Sequence, residues 1–151
     1  MLNWFKHPTH FDWANHPVVH EGETIIEASA QNIFERLDFA SPSNALRERG
    51  FVFGPGNPAY DIFEAHDPRK PDLRLLFEID GSVPGERYCF RTTQQSPESV
   101  GGLVESASEY KIIPQEDGRH LLHLKETSLL DSGLSRNQYI LERATLSFSV
   151  F

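Results

Sequence analysis

Three side chains have the types that general acid–base chemistry requires: the imidazole of His20, the phenol of Tyr110 and the carboxyl of Glu126. Brought together as base, acid and orienting group, they could move a proton on an enolisable ligand. That role suits a buried Glu126; at a strand end the same carboxylate would simply be hydrated. Seven histidines also raise the question of a metal, since His7 and His10 are three apart and His16 and His20 four apart. Pro8 and Pro17 spoil helical geometry at both pairs, His16–His20 falls in a strand pattern, and Cys89 is the only cysteine. Neither a metal nor a cofactor is therefore expected. Arg87 and Arg91 flank Cys89 on one strand face and would favour its thiolate, but no histidine stands at a partnering distance, so an inert thiol is the expectation. Gly54-Pro55-Gly56 and Gly101-Gly102 do not match phosphate-binding loops.

The elements that must position these groups are legible in the chain. His16–Ala28 alternates as a strand. Ser29 can cap a short helix with Ile33, Phe34 and Leu37 on one face. A second helix, about two turns long, is predicted from Ser41 at the cap, Pro42 at the first position and Gly50 past the end. Strands then follow at Phe51–Phe53, Ala59–His66, Leu73–Asp80, Glu86–Gln95, Gly102–Pro114 and Arg119–Leu129. Asp80-Gly81, Pro84-Gly85 and Asp117-Gly118 punctuate the connections, the last as a hairpin. Asp67–Asp72 and Gln94–Gly102 are the loops where a pocket mouth or lid would lie. Ser135–Phe151 has a helical stripe of Ile140, Leu141, Ala144, Phe148 and Phe151, although 144–150 also alternates like a strand.

A one-residue shift exchanges the faces of a strand, so turning the charges outward decides what lies inside. Arg87 and Arg91 outward put Tyr88, Phe90 and Thr92 inward. Glu105, Glu109 and Lys111 outward put Val104, Ser106, Ser108, Tyr110 and Ile112 inward. His123 and Lys125 outward leave Leu122, Leu124 and Glu126 inside, and His20, Thr24 and Ile26 share the inner face of the first strand. Phe77 joins them from Leu73–Asp80. A tightly packed core rarely tolerates so many polar groups, whereas an apolar pocket with a few convergent polar ones accommodates them. The ligand-lining set is thus Thr24, Phe77, Tyr88, Phe90, Ser106, Ser108, Tyr110 and Leu124.

At 151 residues and 17.2 kDa the chain is expected to form one domain, with 17–151 folded and 1–16, rich in aromatics and histidines, as an N-terminal extension. A fold of this mass buries roughly 70% of its unfolded surface. The net charge is −8, with 7 basic and 11 acidic residues in each half, so no basic stripe exists to neutralise phosphates. Nucleic acid is excluded as a partner. No apolar run approaches the ~18 residues of a membrane span. A cytoplasmic protein is expected, and the apolar end at Val150-Phe151 suggests that the natural chain continues.

Strand, two short helices, a meander of antiparallel strands and a terminal helix is an order that resembles the START-like (SRPBCC) superfamily, also called the helix-grip or polyketide cyclase/dehydrase group. Glu21–Ala28 running into Ser29–Leu37 is similar to that group's opening strand and helix, and residues 1–16 have no counterpart in it. The resemblance implies an α+β helix-grip fold: a curved antiparallel sheet, two short helices after the first strand, and a C-terminal helix packed across the sheet around a pocket. It implies binding of a small hydrophobic or aromatic ligand, lipid-like or polyketide-like, by a carrier or sensor. A cyclase- or dehydratase-like enzyme is the alternative. A protein-interaction module, for instance a homodimer, is the third reading.

Overall fold

The computed structural model describes residues 17–54, 56–72, 74–94 and 103–130. The extension at 1–16, the loop at 95–102 and the terminal segment 135–151 lie outside these residues, as do His7, His10 and His16.

Seven strands form one curved antiparallel sheet in the spatial order β1-β7-β6-β5-β4-β3-β2. These are β1 (Val18–Ile26), β2 (Val52–Phe53), β3 (Ile62–His66), β4 (Arg74–Val83), β5 (Arg87–Gln94), β6 (Leu103–Pro114) and β7 (His120–Leu130). Two short helices, α1 (Ala30–Leu37) and α2 (Ala45–Glu48), connect β1 to β2. The order follows from hairpin connections between β2 and β7, with β1 added beside the last strand.

Ser29 caps α1 as expected, its hydroxyl accepting from the Asn32 N–H at 3.1 Å, and Ile33, Phe34 and Leu37 are buried. The second helix starts later than its punctuation predicts. Asn44, not Ser41, is the cap: its Oδ1 accepts from the Leu46 and Arg47 N–H groups at 3.0 and 3.4 Å. Its Nδ2 donates to the carbonyls of Arg36 and Leu37, tying both helices together, whereas Ser41 closes a local turn onto the Ser43 N–H. A side chain that satisfies both helix ends outcompetes one that serves a single turn.

Two further expectations are corrected. Residues 59–61 are not strand: Pro58–Tyr60 is a 3-10 turn and Asp61 has a φ of 58°. Asp80-Gly81 is not a connection either. β4 runs on to Val83, and the register moves from Ile79↔Phe90 to Gly81↔Cys89, leaving Asp80 as an extra residue in a bulge. The turn itself is at Pro84-Gly85, where the Glu86 N–H bonds the Val83 carbonyl at 2.9 Å and Gly85 has a φ of 75°.

The core gathers under the helices. Phe39, in the α1–α2 connection, stacks on Phe77 at 4.3 Å and meets Phe90 edge-on at 4.9 Å. Phe34, Phe63 and Tyr88 complete this aromatic cluster. Both backbone groups of Phe39 are served by side chains. Its N–H donates to the Tyr88 hydroxyl at 3.0 Å, and its carbonyl accepts from Arg47, whose guanidinium also lies 4.1 Å from the Phe53 ring centre.

Candidate functional site: a polar strip on the concave face

The strand phases set by the charges are the phases observed. Arg87, Arg91, Lys111 and Lys125 are exposed on the convex face, while Tyr88, Thr92, Ser106, Ser108, Ile112, Leu122, Leu124 and Glu126 are buried on the concave one. On the convex side the charges answer one another: Arg87 and Lys111 each stand 3.6 Å from Glu109, Arg91 stands 3.7 Å from Glu105, and His123 bonds Glu21 at 2.8 Å.

Cross-strand register arranges the concave residues in rows. One row runs His20–Glu126–Ser108–Phe90–Ile79 from β1 to β4. The row beside it runs Val18–Ser128–Ser106–Thr92–Phe77. On the other flank Leu124, Tyr110 and Tyr88 stand in register, followed by Thr24, Leu122 and Ile112. Polar groups thus concentrate in a strip two rows wide, apolar on one flank and aromatic at its β4–β5 end.

Glu126 is the centre of that strip. It lies in the middle of β7 and is only 4% exposed, so the hydrated strand-end alternative does not hold. The Ser108 hydroxyl donates to its Oε2 at 3.1 Å, and the Ser128 hydroxyl reaches its Oε1 at 3.5 Å. A buried carboxylate is tolerated where such donors replace water.

The three acid–base candidates lie on one face of the adjacent strands β1, β7 and β6. His20 is the register partner of Glu126, and Tyr110 pairs with Leu124, two residues along β7 on the same face. His20 and Tyr110 are half-buried. Among the lining candidates, Phe90 and Tyr110 stack with ring centres 6.3 Å apart and are partly accessible, as is Thr24. Ser106, Ser108 and Leu124 are buried beside them.

Tyr88 and Phe77 belong to the packed core under the helices instead. Tyr88 is 2% exposed, and burial pushes its hydroxyl far above the usual phenol range, despite the opposing hydrogen bond from Phe39. Ser128 was not singled out by sequence, although the alternation through Leu122, Leu124 and Glu126 points to it. The Val104 side chain falls outside the described residues.

Cys89 faces the convex side, beside a hollow of about 200 Å³ lined in part by Asp80, Glu109, Lys125 and Thr127. Burial raises its thiol pKa, Arg87 opposes this, and Glu109, 3.8 Å from the sulfur, reinforces it. The net upward shift reverses the activation that neighbouring arginines would suggest. Among the described residues no group of three or more His, Cys, Asp or Glu side chains is disposed to hold a metal, and no helix is long and apolar enough to cross a membrane.

No protein-family model and no curated protein matches the chain. Solved structures do. Ara h 8.0201 superposes with a TM-score of 0.63 at 12% identity, over 89% of this chain and 94% of that one. The Mll3558 protein from Rhizobium loti gives 0.62 at 16% identity, covering 87% and 93%. The di-domain ARO/CYC StfQ from the steffimycin biosynthetic pathway gives 0.54 at 17% identity, over 87% of this chain and 46% of its own. These likenesses show a shared fold, consistent with a START-like one.

Proposed function

We propose that the concave face lines an internal cavity that takes a small hydrophobic or aromatic molecule, and that the protein is a carrier or sensor of that molecule. The observation that carries this reading is the polar strip: Thr92, Ser106, Ser108, Glu126 and Ser128 are buried among apolar neighbours on one face. A solid core gains nothing from desolvating five such groups, whereas a binding site uses a few of them to orient a ligand. Phe90 and Tyr110 supply the aromatic surface beside the strip. Location in the cytoplasm belongs to the same reading.

Native mass spectrometry of freshly purified protein, followed by denaturing extraction, tests it. A lipophile of defined mass released on denaturation is the expected result. Protein that stays at the bare chain mass when apolar aromatics are added in excess overturns it.

A second reading is favoured by one observation, the placement of His20, Tyr110 and Glu126 on one face of neighbouring strands. In a cyclase- or dehydratase-like enzyme His20 would remove a proton next to a carbonyl, Glu126 would orient its imidazole and Tyr110 would hydrogen-bond the resulting enolate oxygen. A di-domain ARO/CYC protein stands among the similar structures, which supports this reading. Glu126→Gln separates the two readings: turnover disappears while binding persists only if the protein is such an enzyme.

A further inference from the structure

The two edges of the sheet are built differently. β2, at one edge, is two residues long and offers little backbone to pair with. β1, at the other, is nine residues long, and among the described residues it pairs on one side only, with β7. A strand added to its outer side would extend the sheet and set its own side chains beside those of β1. On the convex face these are Val19, Glu21, Glu23 and Ile25, at alternate positions and all exposed. Val19 is 56% exposed and Ile25 41%, and the Glu21 side chain remains 55% exposed although His123 bonds one of its oxygens.

The order apolar, acid, acid, apolar decides which strand fits. A second copy of β1 does not. In antiparallel self-pairing the registers of longest overlap are centred on Glu21, Gly22 or Glu23. The first and last set a glutamate against its own copy, and the middle one sets Glu21 against Glu23 on both sides of the centre. Like charges directly opposite one another are destabilising. We propose that the outer edge of β1 docks an extended segment of another protein with the pattern apolar-x-basic-x-basic-x-apolar. The cations of that segment face Glu21 and Glu23, and its apolar ends face Val19 and Ile25. The pattern is the same read in either direction, so a parallel or an antiparallel strand satisfies it. Backbone hydrogen bonds hold the segment, while the charges select it and exclude self-association.

Fluorescence anisotropy of N-terminally labelled peptides added to the full chain tests this. The in-phase peptide is Ile-Thr-Lys-Thr-Lys-Thr-Ile. Ile-Lys-Thr-Thr-Thr-Lys-Ile has the same composition with its lysines on the opposite strand face, and Ile-Thr-Glu-Thr-Glu-Thr-Ile reverses the charge. The out-of-phase peptide is needed because a chain of net charge −8 attracts any cationic peptide. The in-phase peptide should bind tightest, exceeding the glutamate peptide by roughly tenfold or more. Glu21→Lys combined with Glu23→Lys should invert that preference. Equal binding of the two lysine peptides, a preference unchanged in the double variant, or no binding of the in-phase peptide overturns the proposal. A wild-type dimer whose β1 amides are protected from hydrogen exchange also overturns it, because the edge then belongs to a second copy. The wild-type comparison of the two lysine peptides decides the matter even if the double variant does not fold.

Discussion

Ser108 and Glu126 face each other across β6 and β7, and the serine hydroxyl donates to the carboxylate at 3.1 Å with both side chains buried. Strand alternation places the two on the concave face, and cross-strand register brings them side by side. A hydrogen bond to a desolvated charge contributes more than a neutral one. Ser108→Ala should therefore destabilise the fold by about 1.5–3 kcal/mol in urea denaturation. A loss under about 0.5 kcal/mol would mean that water serves the carboxylate equally well.

Tyr88 anchors the helical connection to the sheet through the bond it accepts from the Phe39 N–H. Removing the hydroxyl leaves that N–H buried and unserved, so Tyr88→Phe should cost about 1–3 kcal/mol with the aromatic packing intact. The same residue sets an alkaline limit. Its folded-state pKa is raised by burial above the unfolded phenol value, so its contribution is complete below about pH 10 and is lost as pH climbs further. Spectrophotometric titration should show one of the four tyrosines ionising only as the protein unfolds. Four tyrosines titrating together near pH 10 would contradict this.

Asn44 carries the cap of α2 and two carbonyls of α1 at once. Asn44→Ala should cost about 1–3 kcal/mol, while Ser41→Ala, which removes only a local turn bond, should cost under about 1 kcal/mol. Chemical denaturation of the two variants checks the order, and a larger loss at Ser41 would reverse the capping assignment.

The way the second helix begins shows where sequence reading stops. Ser41-Pro42 has the right chemistry for a helix start, and so does Asn44; which prevails depends on the carbonyls of Arg36 and Leu37 arriving beside Asn44, a tertiary event. The strand phases were legible because Arg87, Arg91, Glu105, Glu109, Lys111 and Lys125 cannot be buried unpaired, and that constraint alone turned Ser106, Ser108 and Glu126 inward. Register was not legible. Nothing local to β1 and β7 says that His20 stands opposite Glu126, and nothing in Asp80-Gly81 distinguishes a turn from a bulge. Tyr88 was legible as inward-facing, but its bond to Phe39, 49 residues away, makes it core where its face alone suggested a lining residue.

Cys89 should behave as a protected thiol. Burial beside Glu109 keeps it protonated, so its reaction with a disulfide reagent at neutral pH should be slower than that of an unstructured peptide thiol and should speed up on unfolding. A native thiol that reacts faster than the peptide would show that Arg87 and Arg91 dominate instead.

The face on which a ligand sits is the central claim, and the alternation of the strands makes it directly readable. Amide and side-chain NMR shifts of labelled protein, titrated with 2-naphthol, should move at Phe90, Ser106, Ser108, Tyr110 and Glu126. Side chains of the opposite face, Glu21, Cys89, Glu109 and Lys125, should stay in place. Shifts concentrated around Cys89 and Lys125, or no shifts at saturating probe, would contradict a ligand site on the concave face.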